Sequence, residues 1–304
     1  MMSLINALPG AVAQGLIWGI MAIGVYLTFR ILDIADLTVD GSLGTGGAVC
    51  IMLMLSGQNV WVAMAGATAA GMAAGLATGI LHTFMGIPAI LAGILTQISL
   101  WSINLRIMSG KSNLPLLKLK TLISSVGDSL GITQAQASIL VGVAAAVLIV
   151  AVLYWFFGTE LGCSLRATGC NPNMSRAQGI NTDFCKVLGL MVSNGLVALS
   201  SALLAQYQGF ADVNMGRGAI VIGLAAVIIG EAIFSRIFRN FALRLLSVAF
   251  GSILYYLVLQ TVIWMGIDTD LLKLLSALVV AIFLAIPTWK SRYFSKPVRK
   301  GGNH

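Results

Sequence analysis

Few side chains in this 304-residue chain could do chemistry, and their spacing assembles no catalytic site. The two histidines, His82 and His304, lie far apart and in different settings. No GxxxxGK(S/T) loop is present to cradle a nucleotide's phosphates. Asp40 is the ionisable residue nearest the middle of an apolar stretch, in LTVDGSLGTGG. A carboxylate placed there is costly, which makes it a functional candidate by default. Thr38, Asp40, Ser42 and Thr45 are accordingly candidates for a translocation path. The plainer alternative is that Asp36 or Asp40 caps the Gly-rich helix, with Ser42 and Thr45 satisfying loose backbone groups. A proton relay would want a second acid, and none follows Asp40 before Asp128. Glu231, in GLAAVIIGEAIFSR, most simply pairs with nearby Arg236 or Arg239.

The other informative segment is ELGCSLRATGCNPNMSRAQGINTD (160–183), a polar, basic loop between two long apolar runs. Asn171 is a good N-cap, because its side-chain oxygen can accept from the free N–H groups of the next turn. Pro172 follows at the first helical position, where a missing N–H costs nothing. Gly179 offers a left-handed stop. The pattern predicts roughly two turns of helix at a membrane surface, flanked by Arg166, Arg176 and Lys186: a docking element.

The elements that must position these residues are membrane spans. The composition is 58% hydrophobic and 9% charged, with a mean hydropathy of +0.95, which excludes an ordinary soluble domain. Between Gly41 and Leu105 there is no Asp, Glu, Lys or Arg, a run long enough for several helices of about 20 residues. A β-barrel would show short alternating segments instead. The first 29 residues carry no Lys or Arg, so no cleavable signal peptide is expected. The net charge of +8 is read as topology-setting loop charge rather than as a nucleic-acid surface. Cys50, Cys163, Cys170 and Cys185 match no zinc pattern and are expected to be free thiols, with no metal.

Spans are expected near 8–29, 60–81, 86–107, 137–157, 184–206, 241–263 and 271–289. Two Gly-rich segments, about 37–56 and 215–234, begin in more polar sequence. Long connections fall only at 108–136 and 158–183, so there is no room for an enzymatic or nucleotide-binding domain. Basic residues set the orientation. Placing the C-terminal tail (Lys290, Arg292, Lys296, Arg299, Lys300), the 235–244 link (Arg236, Arg239, Arg244), the 160–186 loop (Arg166, Arg176, Lys186) and Arg30 inside puts twelve of the 18 basic residues in the cytoplasm. The C-terminus is then cytoplasmic and the N-terminus external; a re-entrant 37–56 segment would instead put the N-terminus inside. The 108–136 loop, with Lys111, Lys118 and Lys120, falls outside against the rule. ADLTVDGSLGTGGAV (35–49) and ADVNMGRGAIVIGLAAVIIGEA (211–232) each follow a long span and lead into a Gly-rich apolar segment. The whole is expected to be an all-α polytopic membrane protein: one domain over 1–304, about nine membrane segments, and two inverted pseudo-repeats (about 8–107 and 184–289) with Gly-rich interrupted helices.

LGCSLRATGCNPNMSRAQGINTD (161–183), with the sequence at 186–218 and IVIGLAAVIIGEAI (220–233), resembles the permease subunits of bacterial ABC importers. The branch is that of branched-chain amino acid and ribose-type permeases, and DLTVDGS (36–42) matches its tryptophan/tyrosine-type group. The resemblance implies a bacterial plasma (inner) membrane subunit with no catalysis or cofactor of its own, moving a small solute that could be an amino acid. Its partners would be the lipid bilayer, a second permease, ATP-binding ATPase subunits and an external or periplasmic binding protein, with no nucleic acid. It further implies that the 166–183 block meets the ATPase, with Arg166, Gly169, Asn171, Pro172, Arg176, Gly179 and Ile180 at the matching positions. Cys170, Met174 and Ser175 depart from the family's usual residues. An ion-coupled secondary transporter or channel using Asp40 is the alternative reading, because its inverted repeats would look the same.

Overall fold

A computed structural model describes residues 2–116, 119–234 and 240–265, together with isolated helical positions between 274 and 285. Among the described residues the regular structure is helical except for one pair of three-residue strands. Its elements are α1 (Met2–Tyr26, prolonged by a π-turn at Leu27–Ile31), α2 (Thr38–Leu55), α3 (Val60–Thr83), α4 (Ala89–Ile107), β1 (Asn113–Pro115), α5 (Leu122–Leu130) and α6 (Gln134–Gly158). There follow α7 (Glu160–Cys170), α8 (Pro172–Ala177), α9 (Thr182–Gln208), β2 (Phe210–Asp212), α10 (Ala219–Phe234) and α11 (Phe241–Trp264).

Seven of these helices (α1 with its π-turn, α2, α3, α4, α6, α9 and α11) are long and apolar enough to cross a bilayer, and the 16-residue α10 is a shorter apolar helix. The protein is thus an all-α polytopic membrane protein. The span expected at 271–289 falls mostly outside the described residues. Cap chemistry explains the boundaries. Thr121 with Ser124 and Thr133 with Gln136 form capping boxes for α5 and α6, and Asn181 caps α9. Gly131 and Gly209, at φ +65° and +76°, end α5 and α9 in the left-handed conformation.

Helix α9 is the central post. Helix α1 runs antiparallel to it, with Tyr207 bonded to Gly10 O, Ser200 to Ile17 O and Ser193 to Gly24 O. Helix α3 is also antiparallel: Gly71, Gly75 and Gly79 meet Asn194, Leu190 and Val187 in turn. Helix α2 runs parallel to α9, its Gly46 pressed on Ala198. With no water to expel, helices in lipid associate by close van der Waals packing, and small residues make the approach possible. A Cβ on Gly46 would stand 2.6 Å from Ala198 Cα. Side chains such as Leu91, Leu148 and Trp155 on α4 and α6 point outward, as lipid-facing residues do.

The two ends of the bundle differ. One, the loop face, carries α7 and α8. The other, the strand face, carries α5 and the antiparallel pair β1–β2, in which Leu114 faces Ala211. Neither β1 nor α5 is expected from sequence inside the 108–136 connection. Helix α1 runs from the strand face to the loop face, and α2 returns from the break at 32–37 to the strand face. The 37–56 segment is therefore one continuous helix rather than a re-entrant pair, and the N-terminal end of α1 lies opposite the 158–183 loop.

Candidate functional site

Both features singled out by sequence are built around interrupted helices. In the first half, α1 unwinds through its π-turn, Asp33 adopts a left-handed φ of +56°, and the chain turns back to begin α2 at Thr38. Broken backbone at membrane depth is tolerated only where protein encloses it and satisfies its polar groups. Asp36, 3% exposed, satisfies one backbone N–H of the break and ties it to α9. Its Oδ1 accepts from Thr38 N at 2.9 Å and its Oδ2 from Asn194 Nδ2 at 2.7 Å. Ser42 Oγ donates to Asn194 Oδ1 at 2.6 Å, closing a buried Asp36–Asn194–Ser42 chain. Beside it runs a row of hydroxyls, Thr38–Thr78 at 2.7 Å and Thr78–Thr96 at 2.9 Å, joining α2, α3 and α4.

In the second half the chain descends from β2 through a turn at 213–218 and begins α10 beside α2. Asp212 Oδ1 accepts from Asn214 N at 2.7 Å, the same two-residue side-chain turn that Asp36 makes with Thr38. Asp40 caps this second helix. Its Oδ2 accepts from Gly218 N and its Oδ1 from Ile220 N, both at 2.9 Å. The expected cap role thus divides: Asp36 serves α2, whereas Asp40 serves the start of α10, 178 residues on. Among the described residues, the Thr45 hydroxyl bonds the Gly41 carbonyl of its own helix and nothing on another element. A methyl on Gly216 would collide with the Asp40 carbonyl, so the turn and α2 approach backbone to backbone.

Thr38, Asp40 and Ser42 are therefore brought together at the junction of the two breaks, but Thr38 and Ser42 are fully buried in polar contacts. Asp40 alone of the four reaches a cleft of about 350 Å³ between α2, α4 and the 213–218 turn. Its other lining residues include Gln97, Trp101, Asn104 and Arg217. Gln97, Trp101 and Asn104 recur at i, i+4 and i+7, one face of α4, a signal that the surrounding apolar run hides. Thr45 faces a separate, largely apolar cavity of about 510 Å³ among α2, α3 and α4.

The 158–183 loop folds as two helices. Asn171 Oδ1 accepts from Asn173 N (3.1 Å) and Met174 N (3.0 Å), Pro172 opens α8, and Gly179 leaves it at φ +82°. Ile180 N bonds back to Ser175 O at 3.0 Å. Arg176 donates to Thr182 Oγ1 (2.7 Å) and to Asp183 Oδ1 (3.1 Å), pinning α8 to the start of α9. Arg166 turns inward: its guanidinium lies 5.3 Å from the Phe241 ring centroid and 5.9 Å from that of Phe157, and donates to the Phe157 carbonyl. Gly169 packs so closely on Ile31 and Leu32 that no Cβ fits. Helix α7 is thereby seated on the end of α1, directly before the break. Glu231 has a partner that its sequence neighbourhood does not suggest. Its carboxylate takes Arg30 in a fork of 2.7–3.0 Å contacts, because α10 descends beside the end of α1; Arg236 and Arg239 lie outside the described residues. All four cysteines are free, with Cys163 and Cys170 exposed and Cys50 and Cys185 buried.

A bundle of seven apolar helices long enough to cross a bilayer, with a shorter apolar helix beside them and a capped helix standing on one face, is the architecture of a membrane permease. The chain belongs to the family of permease components of the branched-chain amino acid transport system, whose pattern it matches over residues 8–286. It is 40% identical over 280 residues to a tyrosine transport system permease protein of Clostridioides difficile, covering 92% of this chain and 91% of that protein. Similarity extends to a fructose import permease of Bifidobacterium longum (23%, 87% of this chain and 73% of that one). It also reaches an autoinducer 2 import permease of Yersinia pseudotuberculosis (28%, 69% and 58%). No solved structure matches. The chain is the membrane-spanning permease subunit of an ABC importer, a non-enzymatic component.

Proposed function

We propose that this subunit carries an amino acid, of the aromatic class, into the cytoplasm across a bacterial plasma membrane. The loop face is then cytoplasmic, as is the C-terminus, and the strand face meets an external binding protein. ATP is bound and hydrolysed on separate ATPase subunits that seat α8 in a groove, below a pair of permeases. The tyrosine permease relative supports the substrate class. The chain's halves act as inverted repeats. Supporting this are the antiparallel α1 and α9, the matching side-chain turns at Asp36 and Asp212, and helices α2 and α10 that start at one level and leave in opposite directions.

The observation that carries the mechanism is the contact of Gly169 with Ile31 and Leu32. A push on α8 passes through α7 to the end of α1, and the Arg30–Glu231 fork passes it on to α10. Asp40 ties α10 back to α2, so both breaks move as one two-state element whose states the ATPase and the solute bias differently. Thr38, Asp40, Ser42 and Thr45 belong to this element, with Asp40 nearest the path. Arg166, Gly169, Asn171, Pro172, Arg176, Gly179 and Ile180 form the coupling elbow, with Arg166 and Arg176 stiffening it from within.

The test is Ser175→Pro in the reconstituted complex with its ATPase and binding protein. Proline there removes the Ser175 N to Asn171 O bond and clashes with the preceding turn. Tyrosine uptake per ATP hydrolysed is expected to collapse while the complex still assembles. Unchanged coupling would overturn the elbow, and uptake that survives ATP depletion would favour the ion-coupled alternative.

A further inference from the structure

We propose that the cleft between α2, α4 and the 213–218 turn holds the transported molecule in passage, and that it selects a zwitterion: ammonium toward Asn104 and Asp40, carboxylate on Arg217. This rests on the amino-acid reading above and assigns it to residues.

Asn104 is the pointer. It is 1% exposed and lines the cleft; its Nδ2 donates to Gly41 O at 3.5 Å, while its buried Oδ1 has no hydrogen-bond partner among the described residues. Rotating the amide would set oxygen against the Gly41 carbonyl, so the orphan is an acceptor awaiting an N–H donor. Arg217 lines the same cleft, and its guanidinium has no hydrogen-bond or ion-pair partner among the described residues. Asp40 supplies one negative charge; the Gly218, Ala219 and Ile220 backbone N–H groups face its carboxylate, whose roughly four lone-pair sites leave room for a further donor. The cleft thus presents one cation and one anion. A simple anion would meet Asp40, and a simple cation would meet Arg217. Trp101 and Ile98 supply an apolar wall for the solute's side chain. The volume, about 350 Å³, falls within the roughly 300–1,000 Å³ of small-molecule sites.

Depth separates this ligand from a zwitterionic lipid headgroup. Ser42, two residues beyond Asp40, bonds Asn194, which lies twelve residues into α9 and so roughly 18 Å from that helix's start at 1.5 Å per residue. Headgroups sit at the interface rather than at that level.

The test is equilibrium binding of labelled L-tyrosine to the complete permease–ATPase complex in nanodiscs, with and without a non-hydrolysable ATP analogue, beside ATP-driven uptake in proteoliposomes. Competitors are tyramine, which lacks the carboxylate, and 3-(4-hydroxyphenyl)propionate, which lacks the ammonium. Arg217→Gln is expected to weaken tyrosine tenfold or more, Arg217→Lys to restore most of it, and tyramine to compete equally with either. Asn104→Leu is expected to weaken tyrosine and tyramine but not the propionate. Arg217 is exposed, so its variants report on the site even if Asn104→Leu fails to assemble. Wild-type tyrosine binding in Arg217→Gln, or tyramine weakened as much as tyrosine, overturns this site while leaving the amino-acid permease standing. A wild-type complex that takes up no amino acid overturns both.

Discussion

Replacing Asp40 with alanine removes both side-chain acceptors from the first turn of α10, the 2.9 Å bonds from Gly218 N and Ile220 N. Hydrogen bonds to a charged group contribute about 1.5–3 kcal/mol each, so the pair holds that turn by roughly 3–6 kcal/mol. Water entering from the neighbouring cleft offsets part of this, which makes the lower end the better guide. A loss of about 3 kcal/mol corresponds to roughly a hundredfold increase in local opening. Hydrogen exchange followed by mass spectrometry on the purified complex reads it directly. Peptides covering 213–222 are expected to exchange about a hundredfold faster in Asp40→Ala, with α6 unchanged. Asp40→Asn keeps one oxygen but turns an amide N–H₂ toward the other backbone donor, and falls between. Wild-type exchange at 213–222 in Asp40→Ala would refute the cap and, with it, the link between the two breaks.

Gly46→Val drives side-chain carbons into the Ala198 backbone of α9 and is expected to cost at least about 1–3 kcal/mol, read as a lower melting temperature of the detergent-solubilised protein. The Arg30–Glu231 fork is partly open, at 54% and 28% side-chain exposure, so a double-mutant cycle with Arg30→Gln and Glu231→Gln should return a coupling of no more than about 1 kcal/mol. A membrane-impermeant maleimide is expected to label Cys163 and Cys170 but not Cys50 or Cys185, and only from the cytoplasmic side of oriented vesicles. Labelling from the outside would reverse the proposed topology.

What was legible in the sequence follows the range of the forces involved. Helix α8 can be read from Asn171, Pro172 and Gly179 because capping acts within three residues. The spans can be read because lipid demands apolar length. The pairing of Glu231 with Arg30 is not legible because the two are 201 residues apart, whereas Arg236 and Arg239 stand close by in sequence. Asp40 is half legible: its chemistry as a cap can be read, but not which helix it caps, since that depends on how two distant segments meet. The seat of Arg166 over Phe157 and Phe241 is not legible from its loop context, because tertiary packing sets it. The β1–β2 pair, three residues a strand, is too short to leave a periodic trace.

The partners of Asp36 and Asp40 also constrain how the protein is made. Asp36 waits for Asn194, 158 residues downstream, and Asp40 for Gly218, 178 residues downstream. At roughly 5–20 residues per second, a ribosome takes about 10–35 s to deliver the second of these after Asp40 has been synthesised. For that interval the start of α2 and the break before it carry two carboxylates without their final partners. Lateral release of α2 into lipid would expose both, so α2 should stay sheltered by the insertion machinery, or by α1 and α3, until α9 and α10 arrive. The break in the first half of this permease is completed only by helices made long after it.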